Sequence, residues 1–235
     1  MIRFIFLLFL FIHSALVCQI VDSTKANKFE IGLTYSPDYC FRTLKSDQPV
    51  NWVLETRDTL EVAKFGYTTG LNFVYNLSKN ISIGSGFLFS DKGKKTKLYS
   101  LENSVSGKLP INNTIIYHHY YIDVPIKANY FILTGKLKLY LTGGICASLF
   151  LVQSNVSIWE YSDGHTERNS TSSSSGFSKI NFAYIAGFGL DFSLSQNFNF
   201  RIEPGYRRSI NSISDTPIKE YLYTSGLSLG IFYKL

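Results

Sequence analysis

The stretch SGLSLGIFYKL, residues 225–235, alternates between two kinds of side chain. The intervening residues are mostly small or polar, whereas every second residue is apolar, giving the row Leu227, Leu229, Ile231, Tyr233 and Leu235. A period of two is typical of a β-strand whose two faces meet different surroundings. Because a strand at the edge of a sheet exposes unpaired backbone groups, we expect another strand to close onto this one.

Seven further segments alternate in the same way. With the stretch above, the segments lie within residues 29–41, 67–75, 81–89, 120–130, 137–151, 182–192, 198–206 and 225–235. Beyond residue 18, no uninterrupted apolar run approaches the roughly 20 residues that a membrane-spanning helix needs. Two classes of all-β protein remain: a soluble sandwich, and a closed membrane barrel whose strands need about 9–11 residues each.

The composition of the two rows and the lengths of the connections favour the barrel. The apolar rows carry Tyr and Phe near the strand ends, as in aromatic girdles, and the opposite rows carry charges and glycines that suit a narrow lumen. Short connections at 76–80, 133–136 and 195–197 alternate with long ones near 44–64, 92–116, 160–178 and 211–219. We therefore predict an all-β, eight-stranded antiparallel up-and-down transmembrane β-barrel with short periplasmic turns and long extracellular loops.

The first residues have the layout of a secretory signal. Arg3 precedes an apolar run at residues 4–12, and smaller residues follow. We predict that residues 1–18 are a cleaved signal peptide and that 19–235 form a single barrel domain in the bacterial outer membrane. A lipoprotein with Cys18 as its lipidated residue is the alternative, although Val17 fits poorly before such a cysteine.

The segment YIDVPIKANYF, residues 121–131, resembles the PorT-like outer-membrane β-barrel family of Bacteroidetes-type bacteria, in which an acidic residue, a proline and a lysine recur, here Asp123, Pro125 and Lys127. The resemblance implies insertion by the outer-membrane assembly machinery, and the apolar row at 227–235 looks like the signal that this machinery reads. A purely structural strand would show the same alternation. Since one founding member is tied to protein secretion, the resemblance leaves open an envelope or secretion partner and implies no single activity.

Charged residues on the inner rows are the candidate functional residues. They are Glu30, Asp123, Lys127, Asp191, Arg201, Glu203 and Arg207. Buried charges are tolerated when they are paired, and side chains fill the interior of an eight-stranded barrel. We predict that these residues interlock as a plug. A proton or ion path through the same residues is the alternative.

Catalysis has little support in the sequence. His118 and His119 lie where the fourth segment reaches the outer rim, but no nucleophile motif accompanies them. Adjacent residues of a regular strand point to opposite faces, which argues against a shared metal. Cys40 and Cys146 fall on opposite walls, which argues against a disulfide. We expect neither enzymatic activity nor a cofactor, and a lipid-acting enzyme is kept as an alternative.

The remaining expectations concern partners. The net charge of +6 does not indicate nucleic acid binding in an exported chain. The basic run at 91–97 is expected to lie where the third segment enters a long external loop, near the phosphates of outer-membrane lipid and lipopolysaccharide. An anchor for lipid headgroups is the favoured interpretation, and a solvated loop is the alternative. The serine-rich segment 162–177 is expected to be mobile and to serve adhesion or simply to link strands. The function predicted overall is a structural or interaction role in the envelope, with a narrow ion or small-solute channel as the rival.

Overall fold

The computed structural model describes residues 28–101 and 109–235. The predicted signal peptide and its boundary at residue 18 lie outside the described residues. The elements, in chain order, are β1 (Phe29–Ser46), α1 (Asn51–Leu60), β2 (Glu61–Val62), β3 (Lys64–Asn76), β4 (Ile81–Thr96), β5 (Tyr99–Ser100), β6 (Pro110–Leu133), β7 (Leu137–Tyr161), β8 (Thr166–Ser173), β9 (Ile180–Ser193), β10 (Phe198–Ser209) and β11 (Ile218–Lys234).

Eight long strands form a closed antiparallel ring. Its order is β1, β3, β4, β6, β7, β9, β10 and β11. Strand β11 pairs with β1, with Ile31 opposite Tyr233 and Cys40 opposite Thr224, and this pairing removes the free edges of both strands. The predicted eight-stranded barrel, including the closure of the last strand onto the first, is confirmed.

The connections divide the barrel into two ends. Short turns join β3 to β4, β6 to β7 and β9 to β10, and the end that carries them is called the turn end. The four longer connections lie at the opposite end, called the loop end. Strand β1 begins and β11 finishes at the turn end. This sorting of connections agrees with the pattern of lengths in the sequence.

The strands alternate between an apolar outer surface and a polar interior. In β1, for example, Leu33, Tyr35 and Tyr39 are exposed outside, whereas Asp38 and Arg42 are buried inside. Outward aromatic rings also follow one another around the wall, with the centroids of Tyr67 and Phe89 6.1 Å apart and those of Phe89 and Tyr120 5.7 Å apart. The polar residues therefore occupy the core, which is the inverse of a soluble sandwich.

The loop end is more ordered than the sequence suggested. Strands β6 and β7 contain 24 and 25 residues, well beyond the bilayer requirement of about 9–11. Strand β8 pairs with the end of β7, so the serine-rich segment expected to be mobile contains a regular strand. Among residues 28–101 and 109–235, no helix has the length and apolar character needed to cross a membrane.

Closure of the ring predicts a difference in gel migration. We expect the purified protein in detergent to migrate faster before boiling than after, because the compact hydrogen-bonded ring resists unfolding in the unheated sample. The measurement is gel electrophoresis of paired heated and unheated samples. Identical migration, together with solubility in the absence of detergent, would contradict a membrane barrel.

Candidate functional site

A cluster centred on Arg201 closes the interior at the turn end. Arg201 Nε donates to Asp191 Oδ2 at 2.7 Å, and its Nη2 donates to Glu30 across strand β11. The guanidinium carbon lies 4.1 Å from the ring centroid of Phe232. A Cβ at Gly32 would overlap that ring, so glycine is needed there for the ring to lie flat against the wall. Cation and ring together fill this end.

A second cluster spans the interior on the loop-end side of the first. Lys127 Nζ on β6 donates to Glu203 Oε1 on β10 at 2.7 Å. The hydroxyl of Tyr140 donates to the other carboxylate oxygen of Glu203 at 2.8 Å. Because β7 and β9 separate β6 from β10 in the ring, this contact crosses the lumen and does not follow the wall.

The central cluster surrounds Arg207. Its Nη2 donates to Asp38 Oδ2 at 2.5 Å, and its Nη1 lies 3.7 Å from Asp123 Oδ2. Lys92 Nζ donates to the other oxygen of Asp123 at 2.9 Å. Both carboxylates are fully buried. A Cβ at Gly226 would overlap Asp38 Oδ1, so the absence of a side chain there makes room for the carboxylate.

A small cavity lies between these clusters. Its volume is about 80 Å³, and its lining includes Lys127, Glu203, Arg207 and Asn129. Since a buried water needs about 10–15 Å³, the cavity can hold several waters. Asn129 is buried, and its Oδ1 accepts no hydrogen bond from the described residues, which is consistent with such a water.

Helix α1 and β2 contribute a cluster at the loop end, called the cap cluster. Arg42 Nε donates to Glu61 Oε2 at 2.7 Å, Arg57 Nη2 donates to Glu220 Oε2 at 2.9 Å, and Lys94 Nζ donates to the same Glu220 oxygen at 2.6 Å. Arg57 also donates to Glu61, and Arg42 to Asp58. Burial disfavours the charged form of Arg57, but the hydrogen bonds and charges of Glu61 and Glu220 raise its pKa overall. These pairs join the first long connection to β1, β4 and β11.

Apolar side chains fill the interior beside the cap cluster. Tyr121, Phe150 and Leu222 project from the strands, and Ile213 comes from the connection before β11. Phe177, from the connection before β9, packs against them, with its ring centroid 5.0 Å from that of Phe150. Two of the long connections therefore turn into the barrel mouth and bury apolar groups there.

The two histidines of β6 lie in different surroundings. His119 faces the interior, is 2% exposed and lies edge-on to Phe177. His118 is on the outer row, stacked on Tyr120, and its Nδ1 lies 2.9 Å from Asp91 Oδ2 and 2.9 Å from Lys64 Nζ. Lys64 Nζ also donates to Asp91 Oδ1 at 2.5 Å. The pair does not form a shared site.

The structure places all seven charged residues singled out in the sequence in the interior, but in three clusters and not in one network. Glu30, Asp191 and Arg201 form the turn-end cluster, Lys127 and Glu203 the second, and Asp123 and Arg207 belong to the third. The apolar row at 227–235 lies on the outer surface, with Leu235 just beyond β11. Cys40 and Cys146, on β1 and β7, are buried free thiols.

Two lysines of the basic run at 91–97 lie elsewhere than the sequence predicted, and the interior holds further charges beyond the seven candidates. Strand β4 continues to Thr96, so Lys92 and Lys94 are buried inside the barrel in ion pairs; an external loop that binds lipid is wrong for both. The inner row of β4 runs through the even residues 82–94, a periodicity that could have revealed the two lysines. Besides these lysines, the clusters contain charged residues that were not among the seven candidates, namely Asp38, Arg42, Arg57, Asp58, Glu61 and Glu220.

A family match agrees with this architecture, and several solved structures are similar to the chain. The family described as "Outer membrane protein beta-barrel domain" matches residues 19–215. Among solved structures, Neisserial surface protein A is 15% identical with a TM-score of 0.44, covering 88% of this chain and 97% of that one. Ail, the attachment invasion locus protein of Yersinia pestis, is 17% identical with a TM-score of 0.36, covering 88% and 99%. The outer membrane protease OmpT from Escherichia coli is 11% identical with a TM-score of 0.46, covering 92% and 99%. No curated protein matches.

Proposed function

Because this chain belongs to the outer membrane protein β-barrel domain family, we propose that it is a non-conducting barrel with a structural or interaction role in the bacterial cell envelope. The observation that carries the proposal is the filling of the interior by successive side-chain clusters. Arg201 and Phe232 occupy the turn end, Arg207 the centre, and the cap cluster the loop end. A hydrated ion cannot follow this axis without separating buried ion pairs, which is energetically costly.

The proposal includes an orientation and a route to the membrane. Residues 1–18 act as the export signal, the turn end faces the periplasm and the loop end faces the outside. The sorting of short and long connections supports this orientation. The outward apolar row of β11 supports recognition by the assembly machinery, and the Asp123, Pro125 and Lys127 pattern supports a PorT-like subfamily of Bacteroidetes-type bacteria. In this location the barrel would contact lipopolysaccharide and an envelope or secretion protein.

We assign no catalytic role to the histidines. His118 Nδ1 contacts Asp91 and Lys64, and these contacts fix the orientation of the ring. His119 is buried among interior side chains, away from the lipid surface. Among the described residues, neither histidine is hydrogen-bonded to a serine, threonine or cysteine side chain that could act as a nucleophile, which favours an interaction barrel over a lipid-acting enzyme.

Conductance across a planar bilayer tests the plug. We expect no steady ionic current from the reconstituted full chain, because paired charges occupy each level of the lumen. A porin reconstituted in the same membrane is the positive control. Ion-selective current through the unmodified barrel, with Glu203→Ala changing the selectivity while leaving the unfolding temperature unchanged, would overturn the plug and favour the channel.

A further inference from the structure

Three basic side chains face outward at the loop end of the wall formed by β1, β11 and β10. They are Lys45, Lys219 and Arg208, called here the basic wall patch. Residues an odd number of positions away along the same strands, such as Arg42, Glu220 and Ser209, are buried on the inner row, so alternation places the patch on the outer surface. Lys45 is exposed, and the other two are partly exposed.

The pairing of the strands brings these cations together. Lys45 and Lys219 are directly opposite in the β1–β11 register, an arrangement of like charges that destabilises a sheet. Arg208 faces Tyr223 of β11, and its Nη2 reaches across that strand to Thr43 Oγ1 on β1, 3.3 Å away. The three positions therefore occupy one continuous area on adjacent strands.

This patch differs from the interior in the partners of its cations. Inside the barrel, Arg201, Arg207 and Lys94 each pair with carboxylates. Across residues 28–101 and 109–235, the basic wall patch forms no salt bridge. Lys45 makes a cation–π contact with Tyr221, and Arg208 donates the hydrogen bond to Thr43. An anion supplied from outside the chain would relieve the repulsion between the two lysines.

The wall on the turn-end side of the patch indicates what kind of molecule carries that anion. A run of outward aromatic rings follows the strands there, with centroids 6.1 Å apart for Phe41 and Tyr223 and 6.0 Å apart for Tyr206 and Tyr223. Aromatic rings of this kind lie at the boundary between headgroups and acyl chains. A molecule on this wall therefore meets cations at one end and an apolar surface at the other.

We propose that the basic wall patch binds the headgroup phosphate of a phosphorylated outer-leaflet lipid, whose acyl chains lie along the aromatic and apolar wall. Arg208 offers a guanidinium that can hold two phosphate oxygens, and the lysines supply mobile positive charges on its other side. This inference rests on the proposed orientation, because only the loop end can meet the outer leaflet. It places a lipid contact on β1, β10 and β11, whereas Lys92 and Lys94 of the run at 91–97 are buried inside the barrel.

The test uses the full chain in a neutral detergent and bisphosphorylated lipid A as the probe. Native mass spectrometry counts bound lipid, and a titration followed by thermal unfolding gives its affinity. We expect the triple variant Lys45→Gln, Lys219→Gln, Arg208→Gln to bind roughly tenfold more weakly or worse, since charged hydrogen bonds to phosphate are lost. The matched control removes Lys28, Lys79 and Lys136 at the turn end by the same substitution and should retain the affinity.

Further measurements make the outcome decisive. Without lipid, the triple variant should unfold at the same temperature as the unmodified chain or higher, because repulsion between Lys45 and Lys219 is removed. Fully dephosphorylated lipid A should bind the unmodified chain as weakly as bisphosphorylated lipid A binds the variant, and inorganic phosphate should not protect the chain from unfolding. Equal binding by the triple and control variants, equal binding of dephosphorylated lipid A, or equal protection by inorganic phosphate would overturn the proposal. Conductance measured separately reports on the plug, and protease access to the loop end in intact cells reports on the orientation.

Discussion

Replacing Arg201 with methionine should lower the free energy of unfolding by about 3–5 kcal/mol, because removal of one member of a buried ion cluster leaves its partners uncompensated. Asp191 is fully buried and Glu30 is 3% exposed, and Arg201 bonds to both. Methionine keeps much of the length that packs on Phe232 but supplies no charge. The measurement is equilibrium unfolding in detergent or lipid vesicles.

Two comparisons separate charge from packing in this experiment. Arg168→Met changes an exposed arginine of β8 and should have little effect. Adding Asp191→Asn and Glu30→Gln to the Arg201→Met chain should recover part of the lost stability, since no buried carboxylate then lacks a cation. If Arg201→Met is as stable as the Arg168 control, the turn-end cluster is not an energetically coupled unit.

Replacing Glu220 with alanine should release helix α1 from the barrel mouth. Glu220 accepts from both Lys94 and Arg57, and Lys94 is 4% exposed. Among the described residues, the substitution leaves the buried ammonium with Glu61, at 3.4 Å, as its carboxylate partner. We expect destabilisation at the lower end of about 3–5 kcal/mol, because Arg57 retains some contact with water. Amide hydrogen exchange across residues 51–60 should accelerate more than exchange in the barrel strands, which measures local release of the helix.

The matched control is Glu55→Ala, which removes an exposed carboxylate from α1 itself. This variant should exchange its helix amides at nearly the original rate, because surface charges contribute little. Equal protection of α1 in the Glu220 and Glu55 variants would mean that the cap cluster does not hold the helix in place.

Part of the interior could be predicted from the sequence. Alternation assigned Asp123, Asp191 and Arg201 to the inner row because a strand has a fixed period of two, whatever its partners. Lys92 and Lys94 were not assigned to the inner row, because a dense run of charges resembled a solvated loop. Strand β4 continues through that run, and its length depends on pairing with β6, which local propensity does not encode.

Which charges pair with one another could not be predicted from the sequence. Lys94 meets Glu220, and Arg201 meets Glu30, although these partners are 126 and 171 residues apart in the chain. Which inward charges reach the same height depends on the stagger between strands around the closed ring. Helix α1 and β2 pose the same difficulty, because the contacts of α1 with β1 and β11, and of β2 with β4, arise only when the first long connection folds over the mouth.

The sequence by itself determined the alternation of the eight strands, the closure of β11 onto β1 and the sorting of polar side chains to the interior, since lipid and lumen impose opposite chemistry on successive residues. The tertiary structure decided which charges neutralise one another and which remain exposed on the wall. Lys45 and Lys219 show the reason most simply. Each is an ordinary lysine in the sequence, and only the β1–β11 register places the two positive charges side by side.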